Sequence, residues 1–243
     1  MHTTNILITG GNRGLGFGLC QAALSANMHI HNVSRNPPPI GHPHLHHYTC
    51  DLSQLHNIEP AIITLFKQQI SFDLLVLNAG ILGDFGDLSS TSIDQAKTVM
   101  DINLWSNKIL LDLLIKHRIN PAQVVFISSG AAVSGNRGWN SYALSKAALN
   151  MLCQQYAYEF PNSHFCAIAP GIIDTDMQTQ LCDGVSLGDD FPAIAKLRAA
   201  RYTSAMPTPN NAGAALLNII PTLRHYPSGS FHDIRDQLLK QIP

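Results

Sequence analysis

The stretch "ILITGGNRGLGFG" (residues 6–18) decides how this chain folds. Residues 6–9 form a short apolar run suited to a buried strand. Gly10, Gly14 and Gly16 then let the backbone turn sharply, and a helical pattern begins at Leu15. A strand that enters a helix through such a turn gathers unpaired amides and the positive helix end at one point. That point suits a pyrophosphate. The spacing is G-x-x-x-G-x-G rather than the G-x-G-x-x-G of the dinucleotide fingerprint, so the turn points to a nucleotide without naming one.

The same alternation runs along the rest of the chain. Further strand-like runs cover residues 29–33, 74–78, 124–128, 165–169 and 230–234, with a weaker one in "LHHYTC" ending at Cys50. Helical periodicity covers 15–26, 55–69, 92–117, 142–158 and 211–219. Repeated strand–helix units predict an α/β fold: a single-domain, doubly wound (Rossmann-type) parallel sheet of about seven strands with helices on both faces. One domain is expected to span 1–243. Two stretches break the rhythm. "RNPPPIGHPHLHHY" (35–48) reads as a loop without a helix. Residues 178–210 are long, mixed and punctuated by Gly and Pro, and predict an irregular substrate lid.

Composition narrows the function. The 243 residues are 45% hydrophobic and 13% charged with a formal net charge of -1, which argues against nucleic acid or an anionic membrane as partner. The start runs directly into the first strand without a signal-peptide pattern, and no apolar run reaches membrane-spanning length. The five cysteines form no C-x-x-C and read as reduced thiols, so a cytoplasmic protein is expected. His42, His44, His46 and His47 have no Cys or carboxylate cluster to complete a metal site, and no metal is expected.

The end of the second strand bears on the cofactor. An NAD-preferring site usually offers a carboxylate there to the adenosine ribose, but this chain has Ser34 and Arg35, with Arg13 inside the glycine turn. Guanidinium groups suit a phosphate dianion, so NADPH is expected over NADH. In "SYALSK", Tyr142 and Lys146 lie one helical turn apart on one face. A phenol is a poor acid at neutral pH, and a neighbouring ammonium is one of the few groups that lowers its pKa.

The remaining motifs fall in a recognisable order: "NAG" (78–80), Asn103 in "DINLWS", "ISSG" (127–130) with Ser129, Y-x-x-x-K, and "PGIIDTDM" (170–177). Together with T-G-x-x-x-G-x-G they resemble the short-chain dehydrogenase/reductase family, from the first strand to Asp236. "ISSGA", "GW" before the Tyr, "APGIIDTDMQ", "DDFP" and "SGSFHDIRD" resemble its branch of sepiapterin reductases and bacterial benzil reductases. The short segment 35–48 favours the bacterial relatives.

The resemblance implies roles. Tyr142 is the general acid, Lys146 and the cationic oxidised nicotinamide together lower its pKa, Lys146 also holds the nicotinamide ribose, and Ser129 donates to the substrate carbonyl. Asn103 organises the helix backbone and a water that relays protons to Lys146. The turn residues Gly10, Asn12, Arg13, Gly14, Leu15 and Gly16, with Ser34 and Arg35, are expected to bind cofactor. Asp51 and Leu52 are expected at the adenine, with helix N-capping as the alternative for Asp51. Asn78, Ala79 and Gly80 would meet the ribose side. Pro170, Gly171, Ile173 and Thr175 would meet the nicotinamide end. Asp233 is a candidate pterin anchor, or else a structural brace.

The implied activity is NADPH-dependent reduction of a small ketone or vicinal dicarbonyl by a homodimer or homotetramer joined through helices 92–117 and 142–158. The competing readings are a non-catalytic nucleotide sensor on the same fold and an oxidative alcohol dehydrogenase, the latter disfavoured by Arg35.

Overall fold

All seven apolar runs become strands, and all of them pair in parallel. The computed structural model describes residues 3–184 and 191–236. The sheet is β1 (Asn5–Thr9), β2 (His29–Ser34), β3 (Leu45–Thr49), β4 (Leu74–Leu77), β5 (Gln123–Ile127), β6 (His164–Ala169) and β7 (Ser230–Asp233), in the order β3-β2-β1-β4-β5-β6-β7. The central strands are buried on both faces, which is why they read as continuous apolar runs rather than alternating ones. Edge strand β3 is only partly covered, and its polar composition reflects that. His44 stacks on His29 with ring centroids 4.1 Å apart, and His46 on His31 at 5.2 Å.

The crossover helices divide between the faces. Helix α1 (Gly14–Ser25) and α8 (Pro209–Ile219) cover one face, with Leu19, Ile8, Val76, Ile168 and Leu216 in a single apolar cluster. Helices α2 (Ile58–Lys67), α4 (Ser106–Lys116) and α5 (Asn140–Glu159) cover the other, through Phe66, Leu75, Leu111, Phe126 and Leu149. Successive strand residues alternate between the two clusters: Ile6 and Ile8 on one side, Leu7 on the other. Among the described residues no helix is long and apolar enough to cross a membrane. All five cysteines are free and buried, and burial pushes the Cys20 and Cys166 thiols up to about 12.

Three expectations from sequence are corrected. The helix expected over 92–117 is broken: α3 (Ile93–Met100) passes into a π-helical turn, Asp101–Trp105, before α4. One residue more per turn rotates Asn103 inward, as π-turns often do at functional sites. The segment 55–69 begins as a 3-10 turn, Leu55–Asn57, and turns α-helical only at Ile58. The expected irregular stretch 178–210 is largely helical: α6 (Asp176–Gly184), α7 (Pro192–Ala200) and the start of α8 occupy it. Its residues 185–190, and with them part of "DDFP", lie outside the described residues.

Helices α1 and α8 touch backbone to backbone. A Cβ placed on Gly18 would stand 1.9 Å from the Pro209 carbonyl oxygen, and one on Gly213 2.3 Å from the Gly18 carbonyl carbon. Gly18→Ala therefore forces the helices apart. It should cost about 1–3 kcal/mol despite the better helix propensity of Ala. Urea denaturation checks this, and an unchanged or raised midpoint would contradict the close crossing.

Candidate active site

The strand order reverses between β1 and β4, so the loops leaving these strands diverge at the carboxyl edge of the sheet. A cleft of about 680 Å³ opens there, within the size range of small-molecule and cofactor sites. The divergence is held by polar side chains. Thr9 Oγ1 accepts from the backbone N–H groups of Asn78 (2.9 Å) and Ala79 (3.0 Å), while Asn78 Nδ2 donates to the carbonyls of Thr9 (3.0 Å) and Gly10 (3.2 Å).

The glycine turn forms one wall. Gly10 has φ +70, and a Cβ on Gly16 would stand 2.2 Å from the Gly10 carbonyl oxygen. No side chain caps α1, so its first-turn amides remain available to an anion. Uncapped amides and a wall without side chains fit a dinucleotide pyrophosphate. Asn32 Oδ1 accepts from the Gly11 N–H at 2.8 Å and braces the turn from beneath.

The cleft gathers nearly all the residues expected from sequence, from Arg35 and Asp51 at one end to Ser129, Tyr142 and Asp233 at the other. Gly16 and Asn103 do not line it. Gly16 lies under the turn. Asn103 sits behind Gly80, with Oδ1 accepting from the Ile81 N–H (2.8 Å) and Nδ2 donating to the Ile81 carbonyl (2.9 Å) and Ser145 Oγ (2.9 Å). Its side chain is a clamp on the strand-β4 loop. Its backbone carbonyl, freed by the π-turn, accepts from Asn107 Nδ2 at 2.8 Å.

At the Arg35 end of the cleft, Asp51 does not cap a helix. Its Oδ1 accepts from the N–H (3.0 Å) and hydroxyl (2.8 Å) of Ser53, closing a tight turn well before α2 starts. The Ser53 N–H, with further help from the Ser53 hydroxyl and the Arg35 charge, holds this carboxyl below its ordinary range. Ser34 accepts from Asn32 Nδ2 (2.7 Å) and donates to the Asn36 carbonyl (2.8 Å). Arg13 pairs across the mouth with Asp176 at 3.1 Å, both largely exposed, so the pair adds little stability.

At the closed end, Ser129 Oγ accepts from the Ala131 N–H at 3.1 Å and lies beside the Tyr142 phenol, and Lys146 Nζ donates to the Ile127 carbonyl at 2.7 Å. Lys146 Nζ stands 5.7 Å from the centre of the Tyr142 ring. Burial raises the Tyr142 phenol, only Ser129 opposes it, and burial drops Lys146 to about 8. In a dry cleft the loss of water outweighs the pairwise attraction across that distance.

Helices α6 and α7 roof this end. Leu181, Cys182, Phe191, Ile194 and Leu197 pack with Leu82 and Tyr142, and Phe85 and Trp139 flank them. Asp233 is engaged by Arg235: Oδ1 receives the Arg235 Nε–H (2.8 Å) and N–H (3.0 Å), and Oδ2 receives Nη2–H (2.5 Å). Arg235, Asp176, Lys196 and Trp139 line the cleft and were not singled out from sequence. A D-x-R pair at the end of β7 was the available signal for Arg235, whereas nothing local marks Lys196.

A glycine turn at a topological switch point, leading to a buried Ser–Tyr–Lys group under a helical roof, defines a nucleotide-binding α/β oxidoreductase. The family model for short chain dehydrogenase matches residues 4–185, and the chain belongs to that family. It is 27% identical over 243 residues to a benzil reductase ((S)-benzoin forming) of Bacillus subtilis, covering 96% of this chain and 98% of that protein. The structure of the YIR035C short chain dehydrogenase/reductase of Saccharomyces cerevisiae superposes with TM-score 0.84 at 24% identity, covering 99% and 100% of the two chains. A 4-hydroxyisoleucine dehydrogenase complexed with NADH superposes with TM-score 0.78 at 23% identity, covering 96% and 97%.

The depressed Lys146 pKa has a measurable sign. The unfolded chain holds this proton up to about 10.5 and the folded protein only to about 8, so between these values the unfolded state binds more protons. Stability attributable to Lys146 must therefore rise with pH across that window. Compared with Lys146→Met, the wild type should gain stability as pH climbs from about 8 to 10.5. Urea titrations of both proteins over a pH series test this, and a constant gap would contradict the buried ammonium.

Proposed function

We propose that this protein is an NADPH-dependent carbonyl reductase acting on a small ketone or vicinal dicarbonyl. The observation that carries the reading is the grouping of Ser129, buried Tyr142 and buried Lys146 under the apolar roof of the cleft. A nicotinamide cofactor supplies the hydride when bound. The chain supplies everything else. Ser129 donates to the substrate oxygen as negative charge develops there, and Tyr142 gives that oxygen its proton. Lys146 holds a ribose hydroxyl and favours the phenolate left behind. Asn103 acts at one remove, by fixing the loop at Ile81.

The α1 amides with Gly10, Asn12, Gly14 and Leu15 would hold the pyrophosphate, and Asp51 with Leu52 the adenine. Asn78, Ala79 and Gly80 would flank the ribose, and Pro170, Gly171, Ile173 and Thr175 the nicotinamide. Arg35 makes no hydrogen bond among the described residues, whereas Arg13 is engaged by Asp176 and Ser34 spends its proton on Asn36. The phosphate preference therefore rests on Arg35. A pure nucleotide sensor has no use for a proton donor facing an apolar end, and that disfavours the non-catalytic reading. The likeness to the benzil reductase supports a dicarbonyl substrate.

Helices α6 and α7 act as the lid in this reading, since they pack directly on Tyr142. Leu144, Met151 and Tyr158 recur every seven residues on α5 and are exposed, as is Trp105 beside α4. This stripe supports a homodimer or homotetramer formed through α4 and α5.

Tyr142→Phe should keep cofactor affinity while kcat on benzil falls by about two orders of magnitude or more. Turnover retained in that variant would remove Tyr142 from the chemistry. Arg35→Asp should weaken NADPH binding by about 2 kcal/mol and raise relative use of NADH. A wild-type protein that prefers NADH at equal concentration would refute the assignment of Arg35.

A further inference from the structure

The substrate end of the cleft holds one charged pair that the chemistry above does not use. Arg235 and Asp233 meet in a two-pronged contact, Nε to Oδ1 at 2.8 Å and Nη2 to Oδ2 at 2.5 Å, and both line the cleft. The guanidinium lies beside the loop that carries Ser129. A Cβ placed on Gly130 would stand 3.1 Å from Arg235 Nη2, and one on Gly171 3.9 Å from Arg235 Cδ. The side chain therefore spans the two loops that follow β5 and β6. Glycine at position 130 leaves room for its guanidinium.

A guanidinium has five N–H donors. Asp233 takes two of them, and no contact among the described residues engages Nη1. Because Asp233 matches its charge, the pair offers fixed N–H donors with little net field. Such a surface accepts a neutral oxygen more readily than it attracts a distant carboxylate. The carboxylate already accepts three N–H groups of Arg235 and so orients that side chain.

We infer that Arg235, oriented by Asp233, donates to the second carbonyl oxygen of a vicinal dicarbonyl while Ser129 and Tyr142 serve the first, and so sets substrate choice. This rests on the carbonyl-reductase reading above. A dicarbonyl places its two oxygens on adjacent carbons, and Arg235 lies over the residue next to Ser129. A monoketone of the same shape offers no second oxygen to the N–H groups that Asp233 leaves unused. Asp233 is a positioning residue that holds the fork in place.

The test compares benzil with deoxybenzoin, which keeps both rings and one carbonyl, using NADPH as cofactor. In the wild type, kcat/KM should favour benzil. In Arg235→Met the ratio of kcat/KM for benzil over deoxybenzoin should fall about tenfold or more, a loss expected when a substrate hydrogen bond to a charged donor is removed. Arg235→Lys keeps the charge but not the fork, and should recover only part of the ratio. Asp233→Asn should lower it to an intermediate value with an unchanged melting temperature. Equal losses on both ketones, or an unchanged ratio in Arg235→Met, would overturn the inference while leaving carbonyl reduction intact. Turnover of neither ketone by the wild type would refute the carbonyl-reductase reading itself, and this inference with it.

Discussion

The contact on which the rest depends is that between Thr9 and Asn78. Two parallel strands whose crossovers leave in opposite directions expose backbone N–H and C=O groups at their carboxyl ends, and a buried unpaired group there is costly. Thr9 Oγ1 and Asn78 Nδ2 satisfy four of these groups between them. The glycine turn and the "NAG" loop are thereby held at a fixed separation. That separation is the floor of the cleft. Asn103 repeats the device one layer further out, where it binds both backbone groups of Ile81.

The closed end is built at the expense of stability. A lysine only 4% exposed, with one hydrogen bond to a carbonyl, is held near the margin of its charged state. The tyrosine beside it is likewise pushed away from ionisation by burial. Apolar packing from α6, α7, Phe85 and Trp139 excludes the water that would stabilise either charge. The same exclusion strengthens every hydrogen bond offered to a reacting oxygen, which is the benefit that offsets the cost.

The mouth and substrate end are polar in a different way. Arg13–Asp176 and Arg235–Asp233 are exposed pairs of little energetic weight. Their effect is geometric. The first ties the glycine turn to the start of the roof helix α6. The second turns an acidic side chain, taken alone an acceptor, into the support for a donor. Charge at both ends is thus set by partners rather than by the individual residue.

Much of this was legible in the chain itself. The strands, the doubly wound class and the glycine turn follow from apolar periodicity and turn chemistry, which are local properties. Ser129, Tyr142 and Lys146 could be picked out because their motifs stand in a fixed order. Other features were not legible. The π-turn at Asn103, the helices within 178–210, the role of Asp51 in a Ser53 turn and the capture of Asp233 by Arg235 had no periodic signature. Neither did the upward shift of Tyr142. Each depends on which elements from distant parts of the chain come to lie together, and on how much water they displace. Sequence determined the frame and the motif residues that meet in the cleft. Tertiary packing alone decided their partners and their proton affinities, because desolvation and pairing arise only between surfaces that have met.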